Sequence, residues 1–343
     1  MQHFDSDYME GAHEKIIERL VQTNREQTPG YGSDMYCESA KEKIKTACKN
    51  PDAKVYFLVG GTQTNVTVID TLLKSYEGVV AAKSGHVATH EAGAIEFGGH
   101  KVLELEAQQG KLSAETVKSY IAGYYKDENY EHMVAPGMVY ISHPTEYGTL
   151  YTKRELEELA NVCREYEIPL YLDGARLGYG LAASDTDVDL ETLSECCDVY
   201  YIGGTKVGAL FGEAVVVNHY QECFHRFLSI MKQHGALMAK GRMLGLQFDT
   251  LFTDNLYLDI ARHAIKMAEK LRNGLEKAGC QVFIDSPTNQ QFVVLENKKM
   301  KELSEHVSFG FWENYDENHT VVRFATSWAT KEEDIDKLLE LLA

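Results

Sequence analysis

Runs of apolar and β-branched residues alternate with amphipathic stretches along most of the chain. Residues 54–59 predict a buried strand that ends at Gly60, and Val66, Ile69 and Leu72 then recur at helical spacing. Further strands are predicted at residues 78–82, 101–105, 138–142, 169–173, 199–202 and 214–217. Near-continuous apolar strands separated by helices are typical of a mostly parallel sheet with helices on both faces, so we expect an α/β fold.

A capping-box pattern marks the start of one of these helices. Thr152 and Glu155 have the spacing at which each side chain satisfies a backbone N–H group of the first turn. Leu156, Leu159 and Cys163 then fall on one helical face, ahead of the strand at residues 169–173. A second helix is predicted over residues 113–125.

The pattern changes after about residue 230. A long helical region continues to about residue 278, with an interruption near Asp254 and Asn255. Short strands are then predicted at residues 281–284, 291–295, 307–312 and 321–326, followed by a last helix that begins near Thr330. We therefore expect a large α/β domain over residues 1–250 and a smaller C-terminal α+β domain over residues 251–343.

Composition excludes several classes of partner. The 343 residues include 34 basic and 52 acidic side chains, a net charge of −18, which argues against nucleic acid and anionic membranes. No apolar run is long enough to span a bilayer, and the first residues lack the layout of a signal peptide. Seven cysteines without a repeated CxxC spacing predict reduced thiols, so we expect a cytoplasmic protein.

Lys206 and Asp173 are the strongest indications of chemistry. Lys206 lies on a glycine-rich turn after the strand at residues 199–202, where burial would lower its pKa and make its amine a nucleophile. Asp173 ends an earlier strand, where ligands bind in open α/β sheets. A lysine that forms a Schiff base and an aspartate on a pyridinium nitrogen are the protein groups of a pyridoxal 5'-phosphate (PLP) enzyme. Alone, the two residues could equally be a surface lysine and an aspartate that caps its own turn.

A possible anion site begins at Gly60. Backbone N–H groups of Gly61 and Thr62 would lie at the start of the predicted helix, where the helix dipole favours a phosphate. The segment lacks the Gly-Lys-Ser/Thr of a nucleotide loop and the full G-x-G-x-x-G pattern, so it fits a single phosphate better. A glycine turn that only accommodates the backbone is the alternative.

Acid–base candidates follow two strands. His86 follows the strand at residues 78–82, and His143 and Glu146 follow the strand at residues 138–142. Each could instead be a polar loop residue or a structural histidine. His86 and His90 could share one metal-binding face, but no third ligand is evident and we predict no metal site.

Two arginines are candidates for a carboxylate. Arg176 could bind a substrate carboxylate bidentately or pair with a neighbouring acidic side chain. Arg323 is a charge within an otherwise apolar strand, which is costly unless the charge is paired.

Taken together, these residues resemble a known family, the threonine aldolase branch of the β-eliminating lyases. These are PLP enzymes of the aspartate-aminotransferase-like fold (fold type I), and the resemblance covers nearly the whole chain. It is carried, in chain order, by Ser6-Asp7, Gly61-Thr62-Gln63-Thr64-Asn65, His86 with Glu91-Ala92-Gly93, Asp173-Gly174-Ala175-Arg176, Lys206 and Arg323.

The resemblance implies how the cofactor would be bound. Lys206 would hold PLP covalently, Asp173 would pair with the pyridinium nitrogen, and His86 would stack on the ring. Gly61 and Thr62 would bind the phosphate.

It also implies the substrate contacts and the assembly. Ser6, Arg176 and Arg323 would bind the amino-acid carboxylate, and Arg176 is also assigned to the cofactor site. Arg242 lies in a segment where relatives carry basic residues that reach a phosphate, although the match there is partial. Sites of this family are built between subunits, so a homodimer or a homotetramer is expected.

One departure bears on the reaction. Where many threonine aldolases have Thr-His-Asn, this chain has Thr145-Glu146-Tyr147. The leading hypothesis is cleavage of L-threonine or L-allo-threonine to glycine and an aldehyde, with Lys206, His86 and Glu146 as catalytic residues. The alternatives are a PLP-dependent β-eliminating lyase or aminotransferase for another amino acid, and a non-catalytic metabolite-binding protein.

Overall fold

The computed structural model describes residues 1–342 as an alternation of strands and helices. The strands are β1 (Gln2–His3), β2 (Lys54–Leu58), β3 (Glu77–Ala82), β4 (Lys101–Leu105), β5 (Ala135–Ser142), β6 (Leu170–Asp173), β7 (Val199–Gly203), β8 (Glu213–Val217), β9 (Gln281–Ile284), β10 (Gln290–Glu296), β11 (Val307–Ser308), β12 (Gly310–Asn314) and β13 (His319–Ala325). The helices are α1 (Glu14–Thr23), α2 (Met35–Ala47), α3 (Gly61–Leu72), α4 (His86–Thr89), α5 (Ala94–Phe97), α6 (Ala114–Lys126), α7 (Lys153–Glu165), α8 (Leu177–Ala182), α9 (Leu190–Cys196), α10 (Phe227–Gln233), α11 (Arg242–Leu251), α12 (Leu256–Lys277), α13 (Asn297–Leu303) and α14 (Glu332–Leu342).

A seven-stranded sheet forms the centre of the molecule, in the order β2-β8-β7-β6-β5-β3-β4. Neighbouring strands from β7 to β4 pair in parallel, whereas β8 is antiparallel to both β2 and β7. The predicted mostly parallel sheet is confirmed, with one reversed strand that periodicity did not reveal. Because β8 alone is reversed, its start lies at the same edge as the carboxyl ends of the other strands.

Both faces of this sheet are buried, which explains why its strands are continuously apolar. Leu170 and Leu172 pack into one core and Tyr171 into the core on the opposite face. Ile202 and Tyr201 divide in the same way on β7. Large phenolic side chains therefore enter the core on the second face, directly below the sheet edge that carries Asp173.

A third core lies against a four-stranded antiparallel sheet, in the order β12-β13-β10-β9. Helix α12 contributes Ile260 to the core that contains Leu170 and Leu172, and it contributes Leu271 and Leu275 to this third core. Phe4 joins the third core, and β1 pairs with β11, so the N-terminal segment packs with the C-terminal one. The smaller α+β unit is present, and a domain boundary after residue 250 remains our proposal.

Local predictions differ in their outcome. The capping box of Thr152 and Glu155 is confirmed. The helical region is interrupted at Asp254 and Asn255, which both have positive φ, and also at residues 234–241, which was not predicted. The single strand predicted at residues 307–312 is wrong, because β11 pairs with β1 and β12 pairs with β13. No helix within residues 1–342 is long and apolar enough to cross a membrane.

Candidate active site

A cavity of about 260 Å³ lies at the sheet edge where the carboxyl ends of the parallel strands meet. Most of the predicted functional residues reach it because each follows a strand that ends there. Those that line it are Gly61, Thr62, His86, Glu146, Asp173, Arg176 and Lys206.

Lys206 reaches the cavity from a tight turn after β7. A Cβ atom at Gly203 would lie 2.4 Å from the carbonyl oxygen of Ala175, so only glycine allows the ends of β6 and β7 to approach this closely. Burial lowers the pKa of Lys206, and the positive charge of Arg176 lowers it further. The amine is therefore biased towards its uncharged, nucleophilic form, as predicted.

Glu213, the first residue of β8, stabilises the turn that carries Lys206. Its carboxylate accepts hydrogen bonds from the backbone N–H of Gly204 at 3.1 Å and from the hydroxyl of Thr205 at 2.8 Å. Thr205 in turn accepts a hydrogen bond from the backbone N–H of Gly212 at 3.0 Å. Burial raises the pKa of Glu213 to about 8, so a proton is held on this carboxyl group at neutral pH.

Asp173 lies in a buried hydrogen-bond network, which we call the cofactor floor (Asn65, Tyr140, Asp173 and Tyr201). The hydroxyls of Tyr140 and Tyr201 and the amide of Asn65 donate to its carboxylate, and Ala175 adds a backbone N–H. Burial alone would raise the pKa of Asp173, but the attraction of His86 when its ring is protonated, together with these donors, outweighs burial and lowers the pKa. Asp173 is therefore held as a carboxylate.

The start of α3 faces the same cavity. Gly60 precedes the helix and no side chain caps it, so the backbone N–H groups of the first turn are not satisfied by a side chain. The Tyr201 hydroxyl lies 3.2 Å from the position that a Cβ atom would take at Gly61, so the start of α3 lies close to the cofactor floor. An anion at this helix start would be bound by the N–H groups and the helix dipole.

His86 is held from two sides at the cavity. Its ring nitrogen Nδ1 lies 2.7 Å from Oε1 of Glu91, and its backbone N–H donates to Oε1 of Glu146 at 2.8 Å. Glu146 also accepts a hydrogen bond from the hydroxyl of Ser142 at 2.7 Å. Burial raises the pKa of Glu146. Both predicted acid–base residues thus line the cavity and contact each other.

A second set of residues, which we call the substrate wall (Ser6, Asp7, Arg176 and Arg323), comes from distant parts of the chain. Arg176 donates to Asp7 through Nε at 2.7 Å and Nη2 at 3.0 Å, so the ion-pair alternative is realised. Burial alone would raise the pKa of Asp7, but Arg176 and Lys206 lower it to about 2. Since this pair uses Nε and Nη2, the Nη1 group remains able to donate to a ligand.

Arg323 and Ser6 are incompletely satisfied. Arg323 donates through Nη2 to the carbonyl oxygen of Asp5 at 2.8 Å and through Nη1 to Gln290 at 3.1 Å. Its Nε and the Ser6 hydroxyl are buried and have no hydrogen-bond partner within residues 1–342. Burial and the nearby charge of Arg176 lower the pKa of Arg323. An anion beside these groups would satisfy the donors and relieve the repulsion.

Two candidate residues lie elsewhere. His143 is fully buried, and its Nδ1 accepts a hydrogen bond from the backbone N–H of Tyr151 at 3.3 Å, so it is a structural histidine. Arg242 donates to the backbone oxygens of Thr23 and Glu26 at the end of α1 and does not line the cavity. The structure does not bring Arg242 together with the other predicted cofactor residues of the same chain, and its role stays a prediction.

Several residues of the site had no role assigned from sequence. Tyr140 and Tyr201 were interpreted only as strand residues, although a phenol in a continuously apolar strand needs a buried partner. Glu213 at the start of an apolar strand and Asn65 within α3 carry the same signal, a buried polar group. Glu91 was part of a recognised motif without a function of its own.

The residues fit PLP as a whole. Lys206 offers an amine whose pKa is lowered, Asp173 a carboxylate at the cavity base, and the start of α3 N–H donors that no side chain caps. Ser6 and Arg323 supply unpartnered donors for a carboxylate. This donor set matches a flat cofactor with one phosphate and an amino-acid substrate.

Comparison with known proteins agrees with the geometry. A family model described as beta-eliminating lyase matches residues 3–298. The chain is 28% identical to the low specificity L-threonine aldolase of Pseudomonas aeruginosa, over 99% of this chain and 96% of that protein. The solved structure of Leishmania major threonine aldolase is 40% identical, with a TM-score of 0.96 over 100% of this chain and 98% of the other. An aspartate aminotransferase of Thermus thermophilus, 17% identical over 99% of this chain and 90% of the other, shares the fold with a TM-score of 0.72.

Proposed function

Since the chain belongs to the beta-eliminating lyase family, we propose that it is a PLP-dependent lyase that cleaves L-threonine or L-allo-threonine to glycine and acetaldehyde. The observation that carries this proposal is the convergence of Lys206, Asp173 and Arg176 on one cavity. The extent of the similarity to a threonine aldolase, at 40% identity over the whole chain, supports the choice of substrate.

The cofactor and the protein divide the chemistry. When bound, PLP accepts the electron pair that is left when a bond to the α-carbon of the substrate breaks. Burial lowers the pKa of Lys206 and so favours the nucleophilic form of its amine. Asp173, which is held as a carboxylate, would keep a proton on the pyridine nitrogen, and the first turn of α3 would bind the phosphate.

The substrate wall selects the bond that breaks. Arg176, Arg323 and Ser6 bind the α-carboxylate and thereby orient the side chain of the substrate towards His86 and Glu146. Breaking the Cα–Cβ bond requires that the β-hydroxyl lose its proton, and these two residues are the acid–base groups at the cavity. Glycine and acetaldehyde are the products once the α-carbon has been reprotonated.

The test is product analysis with the purified protein loaded with PLP. We expect glycine and acetaldehyde in equal amounts from L-threonine, and neither product above background from Lys206→Ala. Lys298→Ala, at an exposed lysine, is the matched control and should retain full activity. Pyruvate with ammonia would instead identify an eliminating lyase, and a keto acid without acetaldehyde an aminotransferase. A protein that takes up no PLP would contradict the proposal entirely.

We also propose a cytoplasmic homodimer or homotetramer. Exposed hydrophobic side chains such as Phe97, Val21 and Met35 support self-association, and they are 95%, 72% and 67% exposed in the single chain. All seven cysteines are free, which suits a reducing compartment. Light scattering on the eluting protein would give the number of subunits, and a monomer would contradict this assembly.

A further inference from the structure

We propose that Glu91 is a positioning residue that holds the proton of His86 on Nδ1 and so turns the lone pair of Nε2 towards the cavity. This inference rests on the proposed function, in which the β-hydroxyl must lose its proton. It assigns His86 as the acceptor of that proton and gives Glu91 a role that was not apparent from the sequence.

The contact between the two side chains determines which nitrogen carries the proton. Oε1 of Glu91 lies 2.7 Å from Nδ1 of His86, and the Glu91 side chain is fully buried. An ionised carboxylate can only accept, so Nδ1 must donate. In a neutral imidazole the other nitrogen, Nε2, is then an acceptor. The His86 side chain is 37% exposed and lines the cavity, so this acceptor is accessible to a substrate.

Asn65 fixes Glu91 in this orientation. Its amide Nδ2 donates to Oε1 of Glu91 at 2.7 Å and to Oδ2 of Asp173 at 2.9 Å. Its Oδ1 accepts from the hydroxyl of Tyr171 at 2.8 Å. The reverse orientation of this amide would place its oxygen against two carboxylates, so the assignment of the amide is unambiguous. One amide therefore positions both the carboxylate of the cofactor floor and the carboxylate that faces His86.

The burial of Glu91 is unfavourable for the fold by itself. Its second oxygen, Oε2, is buried without a hydrogen-bond partner within residues 1–342. An unsatisfied buried acceptor costs about 1–3 kcal/mol. The neighbourhood is also rich in acid, because Asp173 from β6 and Glu146 from the loop after β5 both lie near His86. The contact with His86 is the interaction through which Glu91 acts on a residue that lines the cavity.

Other groups around His86 leave it as the proton acceptor. Oε1 of Glu146 already accepts from the backbone N–H of His86 and from Ser142. His90, on the same helix turn, stacks on His86 with ring centroids 5.7 Å apart, and burial lowers the pKa of His90. Glu146 thus orients the backbone of His86, and Glu91 orients its ring.

The first measurement needs no variant. In protein labelled with ¹⁵N-histidine and loaded with PLP, the nitrogen chemical shifts of His86 report which ring nitrogen carries the proton, and His86→Gln identifies the signals. We expect the proton on Nδ1, the reverse of the preference of a free neutral histidine side chain. A proton on Nε2 of neutral His86 would overturn the inference. This readout is independent of the substrate, so a failure to cleave threonine would remove the proposed function without deciding this inference.

The second measurement removes the acceptor. Glu91→Leu is expected to shift the proton to Nε2 and to lower kcat by about 10²-fold, the size of a typical general-base contribution, while KM and the visible absorbance of the bound cofactor stay near those of the unmodified protein. Glu91→Gln keeps an oxygen that can accept from Nδ1, so it should retain more of kcat than Glu91→Leu.

The matched control is Glu96→Leu, the same substitution at an exposed glutamate five residues away, which should change neither the proton position nor kcat. An unchanged proton position and kcat in Glu91→Leu would overturn the inference. Should Glu91→Leu not fold, the proton position in Glu91→Gln and in the unmodified protein still decides it.

Discussion

The cofactor floor reaches the cavity through Asp173 and Tyr201 and the substrate wall reaches it through Arg176, but the two regions differ in how completely the protein satisfies their polar groups. In the cofactor floor, Asp173 accepts hydrogen bonds from Tyr140, Tyr201, Asn65 and a backbone N–H, and all of these groups lie on one sheet edge or one helix. In the substrate wall, Ser6 Oγ and Arg323 Nε are buried and have no hydrogen-bond partner in the described part of the chain. Within residues 1–342, the protein therefore satisfies the carboxylate of the floor with hydrogen bonds but leaves donors of the wall unsatisfied.

This difference indicates how each region works. A saturated network keeps Asp173 ionised and fixed before any ligand binds, which is the preorganisation that electrostatic catalysis requires. The wall pairs Arg176 with Asp7, 169 residues apart in sequence, and leaves other donors for the ligand. We therefore expect substitutions in the floor to impair both stability and chemistry, and substitutions in the wall to impair the binding and orientation of the substrate but not stability.

The largest effect is expected from Asp173→Asn. The amide cannot stabilise a protonated pyridine nitrogen, and its NH₂ group opposes the donors of Tyr140, Tyr201 and Asn65. We expect kcat to fall by about 10²-fold or more and the free energy of unfolding to fall by about 1–3 kcal/mol. Steady-state kinetics and denaturant unfolding measure both quantities.

The control for this substitution is Asp185→Asn, at an exposed aspartate, which should leave both quantities unchanged. A variant at Asp173 with normal stability and a loss in KM alone would show that the floor is not a preorganised unit.

The sequence predicted the floor and the wall to different extents, for physical reasons. Lys206 and Asp173 were found because each follows an apolar strand, and the ends of parallel strands meet at one edge. Glu213 had no role assigned, because periodicity does not reveal that β8 is reversed and that its start, rather than its end, reaches the cavity. The pairing of Arg176 with Asp7 depends on the packing of the N-terminal segment against the C-terminal unit, which no local pattern records.

A smaller effect, confined to binding, is expected from Arg323→Met. This substitution removes a positive charge from the wall and replaces a guanidinium whose Nε has no hydrogen-bond partner among residues 1–342. Losing one charge-assisted hydrogen bond of about 1.5–3 kcal/mol should raise KM for threonine about tenfold to a hundredfold. The free energy of unfolding should change by less than about 1 kcal/mol, because desolvation of the charge already disfavours the folded state.

Arg262→Met, at an exposed arginine paired with Asp259, is the matched control and should leave KM unchanged. A large loss of stability in Arg323→Met, without a change in KM, would place Arg323 with the structural residues and remove the distinction between wall and floor.

The effect with the least bearing on activity concerns the proton on Glu213 and is expected in the stability of the cofactor-free chain. Burial raises the pKa of Glu213 to about 8 from its ordinary value of 4.5, so between these values the folded chain holds a proton that the unfolded chain has released. This group therefore stabilises the fold most at low pH, and its contribution falls as pH rises, by up to about 1.4 kcal/mol per pH unit inside that window. His143 acts in the opposite sense, because burial lowers its pKa to about 4 and its contribution falls on acidification.

The measurement is therefore the difference in unfolding free energy between the unmodified protein and Glu213→Gln, because the contributions of all other groups cancel in this difference. Glu305→Gln, at an exposed glutamate, is the control. A difference that does not vary between pH 5 and 8 would mean that Glu213 is ionised throughout, and that the turn of Lys206 is held by a charge rather than by a neutral carboxyl group.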